Sequence, residues 1–415
     1  MMAEGFAFAR IPSLHFGAGK ISELPKAAAA FGTEALLVTG GSSLKASGHL
    51  GRIQESLRQA GLRTHSLIID AEPSTSFIDG TCARLRSLGL QVVIGIGGGS
   101  VIDGAKAISA MLPHGNSVLD HLEDVGRNVP HTGVKLPYLA VPTTSGTGGE
   151  MTKNAVLSMV GPEGYKKSLR HENLIPDAVI VDPELMVSCP PHITAACGMD
   201  AFTQLLEPYL SPIASPLTDA LALSGLEKIR DCLIPACTDR GGEIPVRAGM
   251  AYASMLSGLV LANAGLGIVH GLASPIGGFF PMPHGVVCGT LVASATEANI
   301  AALRKQSVKG KHADESKQSI KGKPSDNGDA TAIALAKYAK VGVLFGGDES
   351  KGSDYNCDFL VAKLRAWTEI LKLPRLGAYG ITAADFTRIA DKSSNRHNPV
   401  QLDRQEISDL LARRL

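Results

Sequence analysis

The chain has 415 residues, enough for two domains that each bury a substantial core. Hydrophobic residues make up 44%, charged residues 19%, and the formal net charge is +1, so composition gives no electrostatic reason to expect nucleic acid or a membrane surface as a partner. The seven cysteines are scattered without CxxC spacing, which indicates reduced residues rather than disulfides or a zinc–thiolate site, and the first residues contain no long apolar run, so we expect a cytoplasmic protein.

In the first part of the chain, short apolar runs alternate with helical patterns. We predict strands at Ala35–Gly41, Thr64–Asp70, Gln91–Ser100 and Asp177–Leu185, and a strand plus loop at Leu136–Glu150. The predicted helices between them are Leu44–Ala60, Phe77–Leu88 and Val101–Met111. Because apolar strands separated by helices are typical of a parallel sheet covered on both faces, we predict an α/β fold.

After Cys189–Pro191 the strand-like runs give way to long stretches with helical spacing. We therefore predict a domain boundary that separates an α/β domain, residues 1–188, from an all-helical domain, residues 189–415. Residues 304–330 are polar and rich in lysine, which predicts an exposed insertion or a flexible loop.

One apolar segment has two interpretations. The twenty residues Met250–Val269 are uncharged and long enough to span a bilayer. The segment is rich in Ala, Gly and Ser, contains Asn263, and is followed by histidines and prolines, with no second candidate span in the sequence. We expect a helix buried in the helical domain, and a transmembrane helix is the alternative.

A glycine turn gives the strongest local signal. A buried strand runs into four small residues at which a helix begins: Gly97, Gly98, Gly99 and Ser100. Glycines let a pyrophosphate approach the backbone, and a helix N-terminus offers unpaired N–H groups, so the turn predicts phosphate binding. Asp103 and Lys106 share a face of this helix, and the alternative is an ordinary turn followed by an exposed ion pair.

A second loop, Val141–Glu150, also follows a strand and contains Thr143, Thr144 and Thr147 among glycines. Ligands of open α/β sheets bind in the crevice outside the carboxyl ends of the strands. Beside the glycine turn, this loop is expected to line the same crevice.

One carboxylate and two histidines in apolar surroundings suggest a metal site with one open position. Asp200 and Gln204 share a face of a predicted helix, Gly198–Tyr209, while His270 is predicted near the end of the uncharged helix and His284 at the start of another. A buried carboxylate is costly unless it is paired or binds a cation. Carboxylate and imidazole suit Fe²⁺ or Zn²⁺, although each histidine could equally be a hydrogen-bonded core residue.

Together these segments resemble the iron-containing (group III) alcohol dehydrogenase family over nearly the whole chain. The matching motifs are FGAG (Phe16–Gly19), GGGSVIDGAK (Gly97–Lys106), PTTSGTGGE (Pro142–Glu150), IVDPEL (Ile180–Leu185), GMDAFTQLLEPY and HGLASPIGGFFPMPHG. The resemblance implies a Rossmann-like nucleotide domain, an all-helical metal and substrate domain, and an active site between them.

The resemblance also implies which residues act at the metal. The four metal positions fall on Asp200, Gln204, His270 and His284, with glutamine where the family usually has histidine. Ser274 stands where the family often has a second histidine that assists proton movement. A serine can relay a proton but cannot act unaided as a general base. His270 and Ser274 are the predicted catalytic residues.

For the cofactor, the resemblance implies that Gly97, Gly98, Gly99 and Ser100 hold the pyrophosphate, with Asp103 nearby, and that Thr143, Thr144, Thr147 and Lys166 line the cleft. NAD-preferring members often carry an aspartate after the strand Ala35–Thr39. Here Gly40, Gly41 and Ser42 leave room for a 2′-phosphate, which favours NADP over NAD.

The resulting prediction is an oxidoreductase that transfers a hydride between NAD(P)(H) and an alcohol, aldehyde or ketone with a divalent metal, Fe²⁺ or alternatively Zn²⁺. A small alcohol or carbonyl compound is the expected substrate, and a homodimer is the expected assembly. Two alternatives stay open: a metal-independent reductase resembling maleylacetate reductase, motivated by the missing histidine ligand, and a catalytically silent nucleotide-binding protein.

Overall fold

The computed structural model describes residues 5–315 and 326–415. The strands there are β1 (Ser13–Phe16), β2 (Glu34–Thr39), β3 (Arg63–Ile68), β4 (Val92–Gly97), β5 (Tyr138–Pro142), β6 (Asn154–Met159), β7 (Tyr165–Arg170) and β8 (Ala178–Val181). The helices are α1 (Leu24–Ala29), α2 (Ser43–Ala46), α3 (His49–Gln59), α4 (Thr75–Leu85), α5 (Gly99–Met111), α6 (Pro191–Leu210), α7 (Pro216–Cys237), α8 (Ile244–Ala264), α9 (Ile268–Phe279), α10 (His284–Glu315), α11 (Asp326–Leu344), α12 (Gly352–Ile370), α13 (Phe386–Lys392) and α14 (Arg404–Ala412).

Six strands form one sheet in the order β1-β8-β5-β4-β2-β3, and every pairing within it is parallel. Successive residues of the strands point to opposite faces. Leu36 and Val38 join the core shared with α4, α5 and the helical half, while Ala35 and Leu37 join a second core with α1 and α3. The predicted α/β fold with a covered parallel sheet is therefore confirmed.

Helix α5 lies unusually close to its strand. A Cβ built on Gly95 in β4 would lie 2.8 Å from Cβ of Ala105, and one on Gly97 would lie 2.5 Å from Cγ2 of Val101. Only glycine fits at such distances, so these two residues set the approach of the helix to the sheet. The glycine turn is consequently packed on one side by α5 and open at the carboxyl edge of the sheet.

The edge strand β1 and the hairpin β6–β7 have no counterpart in the sequence prediction. Strand β1 pairs with β8 from Ser13–Ala178 to Phe16–Val181. The fully buried carboxylate of Asp182, just after β8, accepts backbone N–H groups of Gly19 at 3.2 Å and Ile21 at 2.9 Å. The IVDPEL motif therefore holds the N-terminal turn to the sheet.

The chain after β8 is helical in the described residues. The buried guanidinium of Arg247 in α8 donates to the Thr194 hydroxyl at 2.9 Å and to the Cys189 carbonyl at 3.0 Å. This side chain fixes the segment between the last strand and α6. The domain boundary at residues 188/189 stays a prediction.

The uncharged run Met250–Val269 is not one helix. Helix α8 ends at Ala264, Gly265 adopts a positive φ of 70°, and α9 begins at Ile268. Two helices, Ile244–Ala264 and His284–Val308, are long and apolar enough to cross a membrane, but 72% and 83% of their most apolar windows are buried inside the protein. That burial is what core helices show, and it favours the buried-helix interpretation.

Two local predictions need correction, and a third segment, predicted as an exposed insertion or flexible loop, is partly helical. The helix predicted over Leu44–Ala60 is interrupted at Gly48, whose φ is 76°, so α2 and α3 are separate. His270 lies in the first turn of α9, not at the end of the preceding helix. The polar segment 304–330 is helical over 304–315 and 326–330, while residues 316–325 lie outside the described residues.

A close backbone contact joins the sheet to the helical half. Gly148, with a φ of 58°, lies against α8, where an added Cβ would be 2.4 Å from the backbone nitrogen of Gly258. A Cβ built on Gly258 would in turn lie 2.1 Å from the Gly148 carbonyl oxygen, so there is no room for one. Neither contact can relax by turning a side chain, so both glycines are required for this interface.

We predict that Gly148→Ala destabilises the protein more than Gly48→Ala. Both residues have a left-handed φ, but a Cβ on Gly48 meets nothing within 4 Å. The left-handed conformation costs about 1–2 kcal/mol in either variant, and the clash with α8 adds about 1–3 kcal/mol in Gly148→Ala. Denaturant unfolding measures the difference, and equal losses would contradict the contact.

Candidate metal centre and nucleotide cleft

Four side chains from three helices converge on one point. Asp200 lies in α6, His270 in α9, and His284 and Cys288 in the first turns of α10, with one ligand atom from each within 4.8 Å of the others. Asp200 Oδ1 lies 3.3 Å from His270 Nε2 and 3.6 Å from His284 Nε2. A carboxylate and two imidazoles at these separations form a set of ligands suited to Fe²⁺ or Zn²⁺.

A second carboxylate orients His270. Glu207 follows Asp200 by seven residues on α6, and its Oε2 lies 2.7 Å from His270 Nδ1. Its Oε1 accepts the backbone N–H of Val269 at 2.7 Å. A carboxylate that accepts from one ring nitrogen directs the lone pair of the other nitrogen outward, here toward Asp200.

The charges of the cluster depend on one another. Burial alone would raise the pKa of Asp200, but the attraction of His284 and the hydrogen bond of His270 outweigh it, so this pKa lies below its usual value. Burial lowers the pKa of His284 to about 4. For His270, burial acts in the same direction, but Cys288, Asp200 and Glu207 together raise its pKa well above the ordinary value. Asp200 is therefore an anion held in a nearly solvent-free site.

Gln204 is adjacent to the cluster but faces it with its nitrogen. Its Nε2 donates to Asp200 Oδ1 at 3.2 Å, and its Oε1 accepts from the Ser257 hydroxyl at 2.8 Å. The amide oxygen, which is the atom able to bind a cation, is thus engaged on α8. The predicted ligand role of Gln204 stays a prediction.

Ser274 follows His270 by one turn of α9. Its hydroxyl donates to the backbone carbonyl of Lys166 in β7 at 2.8 Å. The Lys166 ammonium pairs with Glu72, which follows β3. Ser274 therefore links the histidine helix to the hairpin, and its predicted part in proton transfer stays untested.

The predicted cofactor loops lie side by side at the carboxyl edge of the sheet. A Cβ on Gly98 would be 3.4 Å from the Thr144 side chain, and one on Gly99 would be 2.8 Å from Thr147. The Thr143 N–H donates to the carbonyl of Gly97 at 2.9 Å. With Ser100 in its first turn, α5 begins at Gly99 and directs its N-terminus at this crevice, which fits a pyrophosphate because backbone N–H groups and the helix dipole both favour an anion.

The residues after β2 border the same crevice. A Cβ on Gly40 would lie 3.8 Å from Val101 in α5, and one on Gly41 would lie 3.7 Å from Cβ of Asp70 at the end of β3. Gly41 and Ser42 are exposed. The absence of a side chain at Gly40 and Gly41 leaves space there, but the neighbouring Asp70 brings a carboxylate that the sequence prediction did not include.

Lys106 is buried and Asp103 is half-buried, so the two are not an exposed pair. Lys106 Nζ donates to the carbonyls of Gly149, Thr152 and Asn154 at 2.6–2.9 Å. Burial lowers the pKa of Lys106 to about 8 and raises that of Asp103 to about 6. Lys106 therefore holds the end of the loop Val141–Glu150 and the residues just after it, a role that the sequence prediction missed.

Two further residues were missed at the metal cluster, and both have a spacing that could have found them. Glu207 is seven residues after Asp200, so two helical turns place both carboxylates on one face. Cys288 is four residues after His284, one turn further along the same face.

The chain belongs to the iron-containing alcohol dehydrogenase family. The model of "Iron-containing alcohol dehydrogenase" matches residues 12–183, and the model of the "Fe-containing alcohol dehydrogenase family, C-terminal" matches residues 194–415. The resemblance inferred from the motifs is therefore confirmed.

Relatives and solved structures agree with this assignment. The chain is 38% identical over 276 residues to long-chain-alcohol dehydrogenase 1 of Geobacillus thermodenitrificans, covering 66% of this chain and 68% of that protein. It is 34% identical over 273 residues to the NADPH-dependent butanol dehydrogenase of Clostridium saccharobutylicum, with 66% and 68% covered. The crystal structure of a 1,3-propanediol oxidoreductase superimposes with a TM-score of 0.83 at 27% identity, covering 99% of this chain and 100% of that one.

These findings confirm the class of reaction. The protein is an NAD(P)-dependent oxidoreductase that interconverts alcohols with aldehydes or ketones, and its family uses a divalent metal, typically Fe²⁺. Its substrate is a small alcohol or carbonyl compound.

We predict that Glu207→Gln weakens metal binding without unfolding the protein. Glutamine cannot accept both the Val269 N–H and a proton on His270 Nδ1, so it disfavours the tautomer whose Nε2 lone pair faces Asp200. Loss of such an outer contact costs about 10–100-fold in affinity. Competition with a chromophoric chelator measures the change, and Glu23→Gln on the surface is the control. An unchanged affinity would show that Glu207 does not orient His270.

Proposed function

We propose that Asp200, His270 and His284 hold the divalent metal of this dehydrogenase and that the crevice between the loops at Gly97–Ser100 and Thr143–Thr147 holds NAD(P). The observation that carries the proposal is the convergence of one carboxylate and two imidazole nitrogens at 3.3–3.6 Å, with Glu207 behind His270. A divalent metal bound there supplies Lewis acidity to an alcohol or carbonyl oxygen.

The residues of the chain then orient the reactants and exclude water. Asp200 is buried, the His270 side chain is only 7% exposed, and no charged residue occurs from Ala248 to Thr296, so the walls formed by α9 and the start of α10 are apolar. In such a site, water competes little with the fixed dipoles for the reacting oxygen. Ser274 can relay a proton only if its hydroxyl stops donating to the Lys166 carbonyl and donates to another acceptor.

We propose NADP(H) as the preferred cofactor and NAD(H) as a weaker one. Gly40, Gly41 and Ser42 leave space for a 2′-phosphate, and Lys45 follows at the end of α2. The NADPH-dependent butanol dehydrogenase relative supports the same preference. Asp70 beside Gly41 acts in the opposite direction, because its carboxylate would repel a phosphate.

The substrate class we propose is a straight-chain primary alcohol and its aldehyde. The apolar character of the histidine helix supports it, as do the long-chain-alcohol and butanol dehydrogenases among the relatives. We further propose a cytoplasmic homodimer with two domains that meet at residues 188/189.

The central test removes the metal. We expect purified protein to contain about one iron or zinc per chain, and we expect a chelator to abolish NADPH oxidation by a panel of C2–C8 aldehydes, with recovery on adding Fe²⁺ or Zn²⁺. Asp200→Asn should lose both metal and activity, because it removes the anion on which the site depends.

Two other results would replace the proposal. Activity that survives in metal-free protein would favour the metal-independent reductase. Cofactor binding without turnover of any carbonyl compound would favour a silent nucleotide-binding protein.

A second prediction concerns the crevice. Gly98→Ala places a methyl group against Thr144 at the helix N-terminus, where we expect the pyrophosphate, so the KM for NADPH should rise about tenfold or more, equivalent to about 1.4 kcal/mol. The metal content should not change. Gly80→Ala in α4, where a Cβ meets nothing within 4 Å, is the control. An unchanged KM would exclude this loop from cofactor binding.

A further inference from the structure

A thiol completes the ring of side chains around Asp200. Cys288 Sγ lies 3.7 Å from His270 Nε2 and 3.8 Å from His284 Nε2. The side chain is fully buried in α10 and belongs to the same group of ligand atoms as Asp200 and both histidines. The thiol therefore occupies the position of a fourth ligand in the cluster.

Four of the six separations among these ligand atoms match those of a metal site, and the other two are within 4.8 Å. Tetrahedral Zn²⁺ with nitrogen and oxygen at about 2.0–2.2 Å and sulfur at about 2.3 Å has about 3.4 Å between its nitrogen and oxygen ligands and about 3.6 Å between sulfur and nitrogen. The corresponding distances here are 3.3 and 3.6 Å from Asp200, and 3.7 and 3.8 Å from Cys288.

Gln204 is the competing fourth ligand. As described above, its nitrogen faces Asp200, while its oxygen accepts from Ser257. Turning the amide would place Oε1 about 3.2 Å from Asp200 Oδ1, a separation that suits two ligands of one cation, but the oxygen would then give up the hydrogen bond from Ser257. Cys288 needs no such rearrangement, because its sulfur already lies against both histidines.

We propose that Cys288, as a thiolate, is the fourth protein ligand of the metal, so that the site is Asp200–His270–His284–Cys288 with Gln204 outside it, and a substrate oxygen would bind as a fifth ligand. The thiol loses its proton to solvent when the metal binds. Thiolate is a softer ligand than carboxamide, so this set favours Zn²⁺ more strongly than the set with Gln204 does. The inference rests on the metal site of the proposed function, and it departs from the expectation that the cysteines form no zinc–thiolate site.

Cobalt spectroscopy tests the proposal. Chelator-treated full-length protein is titrated with Co²⁺, and d–d bands report binding while a near-ultraviolet charge-transfer band reports a cobalt–thiolate bond. We expect one Co²⁺ per chain with a charge-transfer band that disappears in Cys288→Ser. Gln204→Leu and the control Cys357→Ser, at another fully buried cysteine, should keep the band.

Zinc affinity gives a second measurement. Cys288→Ser should lower the affinity for Zn²⁺ by more than about tenfold, and Gln204→Leu by less than about threefold. If Cys288→Ser fails to fold, X-ray absorption of the zinc-loaded wild-type protein decides the question, with one sulfur expected at about 2.3 Å from zinc.

The possible failures are distinct. Stoichiometric Co²⁺ without a charge-transfer band, or zinc without a sulfur neighbour, overturns the role of Cys288 and leaves the proposed function intact. A metal lost in Gln204→Leu but kept in Cys288→Ser assigns the fourth position to Gln204. Absence of any metal binding in the wild-type protein overturns the proposed metal site itself.

Discussion

A carboxylate buried in the middle of an apolar helix is the constraint around which the helical half is arranged. Asp200 is 1% exposed in α6, a helix of 20 residues that carries only one other charged side chain, Glu207. Such a charge costs several kcal/mol unless positive or hydrogen-bonding groups surround it. Helices α9 and α10 meet α6 with their histidines at this point, and His270 lies between both carboxylates. The packing of the three helices and the metal-binding chemistry thus both depend on stabilising the buried Asp200 carboxylate.

Much of the fold followed from local physics. Continuous apolar strands and the glycine turn after β4 predicted a covered parallel sheet, and the crevice at its carboxyl edge is where Gly98 and Thr144 meet. Strands β1 and β7 were missed because their residues are mostly half exposed or exposed and lack a clear apolar alternation, and β6, although largely buried, lies in a two-stranded sheet with β7. Gly48 and Gly265 break helices through a positive φ, which the apolar periodicity around them does not reveal.

The candidate site was less predictable. Asp200, His270 and His284 are 14 to 84 residues apart, so their chemistry suggested a metal site, but only the resemblance to a family assigned them to its ligand positions. Glu207 and Lys106 were missed because each bonds to a partner distant in sequence, whereas Cys288, one helical turn after His284, could have been found from its spacing. In the sequence alone, Lys106 looks like an ordinary surface lysine. Only the folded structure shows that its ammonium donates to three carbonyls of residues 149–154.

Ser274, which stands where the family often has a histidine, makes a structural contact instead. A serine there reaches the Lys166 carbonyl, while the adjacent turn of α9 approaches the lysine stem, 3.2 Å from a Cβ built on Gly277. Lys166 also pairs with Glu72 beside the nucleotide crevice. The hairpin therefore connects α9, and with it His270, to the sheet domain. The hydroxyl proton of Ser274 is donated to the Lys166 carbonyl, so the first effect of Ser274 is to orient α9. Any proton transfer through Ser274 would have to break that hydrogen bond.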